Sequence, residues 1–295
     1  MSQATMKVQP KTKDQQTGAH AALTARRIVA YVVLILLCAL CLFFFYVLII
    51  NATRPHADIQ KGFSFLPGSW TSLCNNFTQV INNANIPIMS GMRNSLIVSA
   101  MTAIFACYFS ALTAFGIHAY RFKGRTLALT FILLIMTMPT QVSALGFVQL
   151  MGKMNLKDSL LPLFLPSIAS PAVFYFMYQY MQASLPLEVI EAARIDGSSE
   201  FGTFNRIVLP MIKPALAVQA IFTFVGAWNN YFTPALILNS ANKKTLPILI
   251  AQLRSADFLK FDMGQVYMMI ALSILPVIIV YLFLSKFIIA GAVSY

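Results

Sequence analysis

Charge is what this sequence has least of. Only 10% of its 295 residues are Asp, Glu, Lys or Arg and 58% are hydrophobic, whereas about a quarter of an ordinary soluble domain is charged. That balance excludes a soluble globular chain, because there is too little polar surface to cover the apolar residues. Acids are scarcer than bases, nine against 21. The resulting net charge of +12 could attract nucleic acid, but Arg26, Arg27, Arg121, Lys123 and Arg125 crowd the ends of apolar runs. Anionic lipid and the positive-inside bias account for them there, and nucleic acid is not expected as a partner. Cysteine is equally sparse. Cys38, Cys41 and Cys107 fall inside apolar runs and only Cys74 in a polar stretch, which excludes a disulfide framework. Cys38 and Cys41 have redox-pair spacing, yet on a lipid-bathed helix they act as small packing residues. The three histidines, His20, His56 and His118, are too scattered for a metal or catalytic cluster. No Gly-x-Ser-x-Gly elbow occurs. The nearest approach to a phosphate loop, Gly146 to Lys153, has five residues between its glycines where four are needed, and Met154 where Ser or Thr should meet magnesium. The chain is expected to have no cofactor of its own and not to be an enzyme.

What is present is a series of apolar runs, each near the roughly 20 residues that cross a bilayer core as a helix. The pattern predicts an all-α polytopic membrane protein with six spans at about 28–50, 94–118, 126–150, 160–181, 214–238 and 264–289. Residues 1–27, rich in Lys, Gln, Thr and Ala, read as a disordered cytoplasmic tail, and 291–295 as a short tail on the same side. The first run is too long for a signal-peptide core and lacks a small-x-small cleavage site, so it stays as a span. Residues 51–92 and 239–263 form external loops. The sequons at Asn51 and Asn76 read as chance matches. Pro162, Pro166 and Pro171 predict irregular backbone at the outer end of the fourth span. Twelve of the 21 bases fall on the inner side of this topology, including all five that flank the first three spans, where charge weighs most in setting orientation.

Four of the nine acids, Glu188, Glu191, Asp196 and Glu200, lie in one internal loop, 182–213. Pro186 in a first turn, Glu188 soon after it and Gly197 as a left-handed terminator predict a helix over about 186–196. Ser198 or Ser199 can cap a second short helix that stops before Leu209-Pro210. Helices this short are marginal alone in water and must pack on something. Leu187, Ile190 and Arg194 share one side of the first, with Glu188, Glu191, Ala192 and Ile195 around another. Ala192 and Ala193 keep its profile low, as insertion into a groove on a partner protein requires.

The loop reads Glu191-Ala192-Ala193, three residues, Gly197, nine residues, Ile207, one residue, Leu209-Pro210. It resembles the coupling-loop signature, the EAA motif, of binding-protein-dependent ATP-binding-cassette (ABC) importer permeases. Its flanks, Leu185-Pro186, Asp196-Gly197-Ser198 and Lys213-Pro214-Ala215, resemble the carbohydrate branch, in particular the smaller permease of maltose-type importers. Asn94-Ser95-Leu96, the basic loop Arg121 to Arg125, Met138-Pro139-Thr140, Trp228-Asn229 and Gly291-Ala292-Val293 extend the resemblance over most of the chain. Two positions depart: Asn230 stands where relatives often carry an acid, and Ser294-Tyr295 replaces the usual basic ending. The resemblance implies a type I ABC importer permease in the plasma (inner) membrane of a prokaryote. It also implies a second permease, two ATPase subunits that bind ATP and Mg, an external solute-binding protein, and a sugar or oligosaccharide as substrate. By the same resemblance Glu191 pairs with a base in the ATPase cleft, Ala192 and Ala193 allow close approach, and Gly197 makes the turn. Ile207, Leu209 and Pro210 complete the signature, and the tail Gly291 to Tyr295 touches the ATPase interface.

Polar residues inside spans face a cavity or another helix. Gln141, Gln219, Asn229, Asn230 and Tyr231 are the candidates for a sugar path, with interhelical hydrogen bonding as the competing role. The aromatic group Phe174, Tyr175, Phe176, Tyr178 and Tyr180 is better explained by packing and lipid contact than by sugar stacking. A permease for peptides or amino acids is the alternative within the class. An ion-coupled secondary transporter, the rival outside it, would bury acids that the predicted spans lack away from their edges.

Overall fold

A computed structural model describes residues 13–83, 85–254 and 262–293, the side chains of 13–23, 140 and 289–293 excepted. Among them there is helix and no strand. Four helical stretches are long and apolar enough to cross a membrane, and the number is six when each of two bent helix pairs counts as one span.

The first helix, α1, covers Lys13–Ala52. It therefore begins well inside the segment expected to be a tail: residues 13–27 are rich in Ala and Gln and contain no proline, and nothing interrupts the helix before the apolar run. The expected tail residues before Lys13 lie outside the described residues. From Ile28 to Phe45 nearly every large apolar side chain of α1 is exposed, on all sides, as suits a helix bathed in lipid. Among the described side chains of α1, only those at its end are buried. There Arg54 donates to the carbonyls of Asp58 (2.6 Å) and Gly62 (3.2 Å) and to Asn51 Oδ1 (3.3 Å). The segment expected to be an external loop folds into α2, His56–Gln60, and α3, Trp70–Ile81. From α3 the buried Asn76 donates to the carbonyls of Ala52 and Arg54, which a helix C-terminus leaves without partners. Both sequon asparagines are thus structural, and their burial excludes a glycan.

The central element is α4, Ile88–Ala119. Its buried residues are mostly small, among them Ser95, Ser99, Ala103, Ala106, Ser110, Ala111 and Ala114. They let neighbouring backbones approach closely, the usual basis of helix association in lipid. The expected third span is broken. Helices α5, Arg125–Met136, and α6, Thr140–Lys153, are bent by 99° at the Met138-Pro139 step, because proline removes a donor and pushes the residue before it out of the helical region. The fourth span has the irregular start that its prolines predict: α7, Leu161–Phe164, then a 3-10 turn, Leu165–Ala169, then α8, Pro171–Ser184. Its Phe174 and Tyr178 stack on each other in the core, so packing is their role.

Helices α9, Leu187–Ile195, α10, Glu200–Thr203, and α11, Leu209–Met211, form a hairpin beyond the end of α8; a π-helical turn, Phe204–Val208, joins the last two. The expected second short helix therefore does not stop before Leu209-Pro210 but runs through it. The π turn explains how: Leu209 N–H donates to Phe204 O, five residues back, and the widened turn absorbs the donor that Pro210 lacks. The chain then bends by 81° into α12, Lys213–Trp228. The expected fifth span is interrupted at Asn229 to Tyr231 before α13, Phe232–Ile237. In place of the second external loop there is a further helix, α14, Leu246–Arg254, and α15, Met263–Val293, closes the fold. Residues Gly291 to Val293 are helical rather than a tail. The last two residues of that expected tail lie outside the described residues.

One core cluster joins α4 and α8 to Ile190, Phe204 and Val208 of the hairpin, and a second joins α3, α4, α12, α14 and α15. Toward the end remote from the hairpin, the second helical turn of α4 is fastened by Asn94, whose amide donates to the carbonyls of Asn242 and Lys244. Beside it Ser95 Oγ accepts from Leu246 N–H.

A second clasp lies at the same end. Asp158 Oδ1 accepts the N–H groups of Asn239 and Ser240, both at 3.0 Å, while Lys243 lies 3.4 Å from Oδ2. The Ser240 hydroxyl and N–H, and next the Asn239 N–H, hold the Asp158 carboxyl well below the usual range. A lowered folded-state pKa means that the stabilisation is complete above the unfolded value, about 3.9, and is lost only as pH falls through the folded one. Asp158→Ala is expected to destabilise the protein by about 1–3 kcal/mol, the range for stranding partly buried partners. Thermal unfolding in detergent at neutral pH checks it, and the difference from wild type should shrink below pH 4 or so.

Candidate functional site

The hairpin is built from three local devices. Helix α9 ends in a Schellman motif: Ser198 N–H donates to Ala193 O (2.9 Å) and Gly197 N–H to Arg194 O (3.0 Å), with Gly197 at φ +77°. Ser199 caps α10 by accepting from Gly202 N–H at 3.1 Å. Ile190 and Ala193 are the buried residues of α9 and seat it against the spans. What remains outside is an exposed face with Glu191 and Ala192, Ile195 at 86% exposure and Phe201 at 64%.

Ala193 is expected, with Ala192, to keep the docking profile low and allow close approach. It is buried instead, because the two side chains diverge by about 100° round a helix. Ile207 and Leu209 are half-buried, Leu209 against the core shared with α4 and α8, and only Pro210 of that trio is exposed. Phe201 was missed. Its signal was an apolar side chain in a polar segment with no helical partner in the pattern.

A polar cluster ties the hairpin to α4. Arg194 reaches Glu200 with two bonds, Nε to Oε1 at 2.7 Å and Nη2 to Oε2 at 3.2 Å. Tyr120, the residue that ends α4, donates its hydroxyl to the same carboxylate, and the Arg194 guanidinium sits 5.1 Å from the centre of the Tyr120 ring. Arg194 above all, and then Tyr120, hold the Glu200 carboxyl below its ordinary range. Burial, and then Glu200, push the Tyr120 hydroxyl up. Beside this cluster lies an open cavity of about 750 Å³ whose lining includes His118, Arg121, Arg125 and Glu191.

Deeper in the bundle, a cavity of about 220 Å³ lies between α4, the broken start of the fourth span, α12 and α13. Its polar lining is Thr102, Ser167, Ser170, Thr223 and Asn230, with no charged residue. Thr102 Oγ1 is buried there without a hydrogen-bond partner among the described residues. Of the five candidates for a path, only Asn230 lines this cavity, where its Oδ1 also accepts from Thr233 N–H. Asn229 and Tyr231 point to a separate cavity of about 350 Å³ between α12, α14 and α15. Gln219, half-buried on α12, and Gln141, exposed on α6, line neither. Thr102 escaped sequence reasoning because a threonine in an apolar helix reads as packing.

An all-helical membrane chain with broken spans, a polar cavity between them and a two-part hairpin beyond the bundle is of the type I ABC importer permease class. The chain belongs to the family of binding-protein-dependent transport system inner membrane components, which its residues 109–291 match. It is 32% identical over 269 residues to the arabinooligosaccharides transport system permease protein AraQ of Bacillus subtilis, covering 90% of this chain and 93% of that one. It is 29% identical over 270 residues to the sn-glycerol-3-phosphate transport system permease protein UgpE of Yersinia pestis, covering 90% and 96%. Its fold is similar, with a TM-score of 0.75 at 19% identity, to a chain in the crystal structure of a bacterial ABC transporter involved in the import of the acidic polysaccharide alginate, covering 95% of this chain and 99% of that one.

Proposed function

We propose that the chain forms, with a second permease, the membrane path for a neutral sugar or oligosaccharide, and that two separate ATPase subunits drive it by docking on the hairpin. An external binding protein delivers the solute. In this reading the hairpin end of the bundle is cytoplasmic, with both termini on that side, and ATP and Mg are bound by the partners alone. Glu191 meets a base of the ATPase, Ala192 and Ile195 enter its groove, and Gly197 fixes the turn between the two halves.

The observation that carries the sugar assignment is the uncharged, hydroxyl-rich lining of the 220 Å³ cavity, together with the similarity to the arabinooligosaccharide permease. Amide and hydroxyl groups can exchange hydrogen bonds with a polyol without desolvating a charge, whereas a phosphate ester or a carboxylate would enter that site without a counter-charge. Uptake into proteoliposomes containing the complete complex tests this. Labelled arabinooligosaccharides are expected to accumulate with ATP. A complex that moved sn-glycerol-3-phosphate, amino acids or peptides and no sugar would overturn the assignment.

A further inference from the structure

A docked helix transmits force only if it is fixed to the element that must move. Helix α9 is seated by two buried residues, and α10 has only four residues. Beside the apolar seat that Ile190 and Phe204 make in the core shared with α4, a polar cluster joins both to that long central helix: Arg194 at the end of α9, Glu200 at the start of α10, and Tyr120 at the end of α4. Each of the three touches the other two. The middle of α4 lines the 220 Å³ cavity through Val98, Thr102 and Ala106. Helix α4 therefore runs from the cluster to the cavity as one uninterrupted rod.

We infer that Tyr120, Arg194 and Glu200 are positioning residues that lock the two halves of the docking hairpin to α4, so that displacement of the hairpin moves the cavity wall. This rests on α9 being the ATPase-docking helix. The Arg194 and Glu200 side chains retain 35% and 46% of their exposure, and an ion pair so open to water adds little to stability. Its geometry points to alignment: a bidentate carboxylate fork closed by a third residue fixes direction as well as distance. Losing it leaves a folded hairpin, seated by Ile190 and Phe204, that can pivot relative to α4.

The test uses the complete complex in proteoliposomes, with Glu200→Gln, Arg194→Ala and the exchange Arg194→Glu with Glu200→Arg. Two quantities are read: ATPase subunits retained per permease, and solute moved per ATP hydrolysed. The single variants are expected to retain ATPase normally while solute moved per ATP falls about three- to tenfold, and the exchange is expected to restore at least half of it. Wild-type yield per ATP in both single variants would overturn the lock. So would a loss of yield that merely tracked loss of bound ATPase, since that would make these residues docking contacts. A cysteine pair placed at Ala192 and in the ATPase groove separates the two readings. Cross-linking with wild-type yield in the variants refutes the lock alone, and absence of any cross-link in the otherwise wild-type complex refutes the docking and the lock together.

Discussion

Gly197→Val is expected to lower ATP-driven uptake by about tenfold or more while leaving the spans folded. Gly197 sits at φ +77° with nothing within 4 Å of where a Cβ would be. The Cβ of a valine there meets no neighbour, and the backbone carries a cost of its own: a β-branched residue in the left-handed region is strained by about 1–3 kcal/mol. Release of that strain would unwind the Schellman motif, turn α10 away from α9, and separate Glu200 from Arg194. Asparagine tolerates the left-handed region, so Gly197→Asn should keep most of the uptake. The pair of variants isolates conformation from bulk. If Gly197→Val transported as well as wild type with ATPase subunits normally bound, the hairpin would not be the transmission element.

That prediction draws on a turn legible from the order of residues, since helix-ending chemistry is local. An acid soon after a proline, then Gly197, then a serine three residues before an N–H that needs an acceptor, fixes the two short helices with no tertiary information. The six apolar runs were legible for a similar reason, because their length answers to the bilayer and not to neighbours. The breaks within the spans were less so. Pro139 and the Asn229-Asn230 step interrupt helices that composition alone would continue, and whether a proline kinks a span or ends a helix depends on what receives the freed carbonyls. Alternation of faces was the weakest guide at the site: a two-residue Ala pair carries no sign of which member is buried, and of the two expected to allow close approach only Ala192 is exposed. The cluster of Tyr120 with Arg194 and Glu200 joins residues as many as 80 positions apart, a distance that no local pattern reports. In the same way, Thr102 and Asn230 meet at one cavity only because α4 and α12 pack side by side.

Filling that cavity separates path from drive. Gly226 lines it, and a Cβ there would meet nothing within 4 Å. Gly226→Ala should be tolerated or slightly stabilising, since alanine gains about 1 kcal/mol over glycine in a helix interior. Gly226→Trp places a side chain whose bulk is of the same order as the 220 Å³ of free space among Thr102, Ala106 and Asn230. Uptake is expected to fall to background, with ATPase subunits still bound and the hairpin unchanged, because the substitution lies on α12 well beyond the 81° bend that joins it to the hairpin. Gly197→Val and Gly226→Trp should thus fail differently, the first losing solute moved per ATP through a misaligned drive and the second through a blocked route. Measured solute uptake at several concentrations, beside ATP hydrolysis and subunit stoichiometry, distinguishes them. Should Gly226→Trp transport at the wild-type rate, the cavity does not lie on the path, and Asn230 and Thr102 lose their proposed contact with the sugar, while the docking role of the hairpin stands untouched.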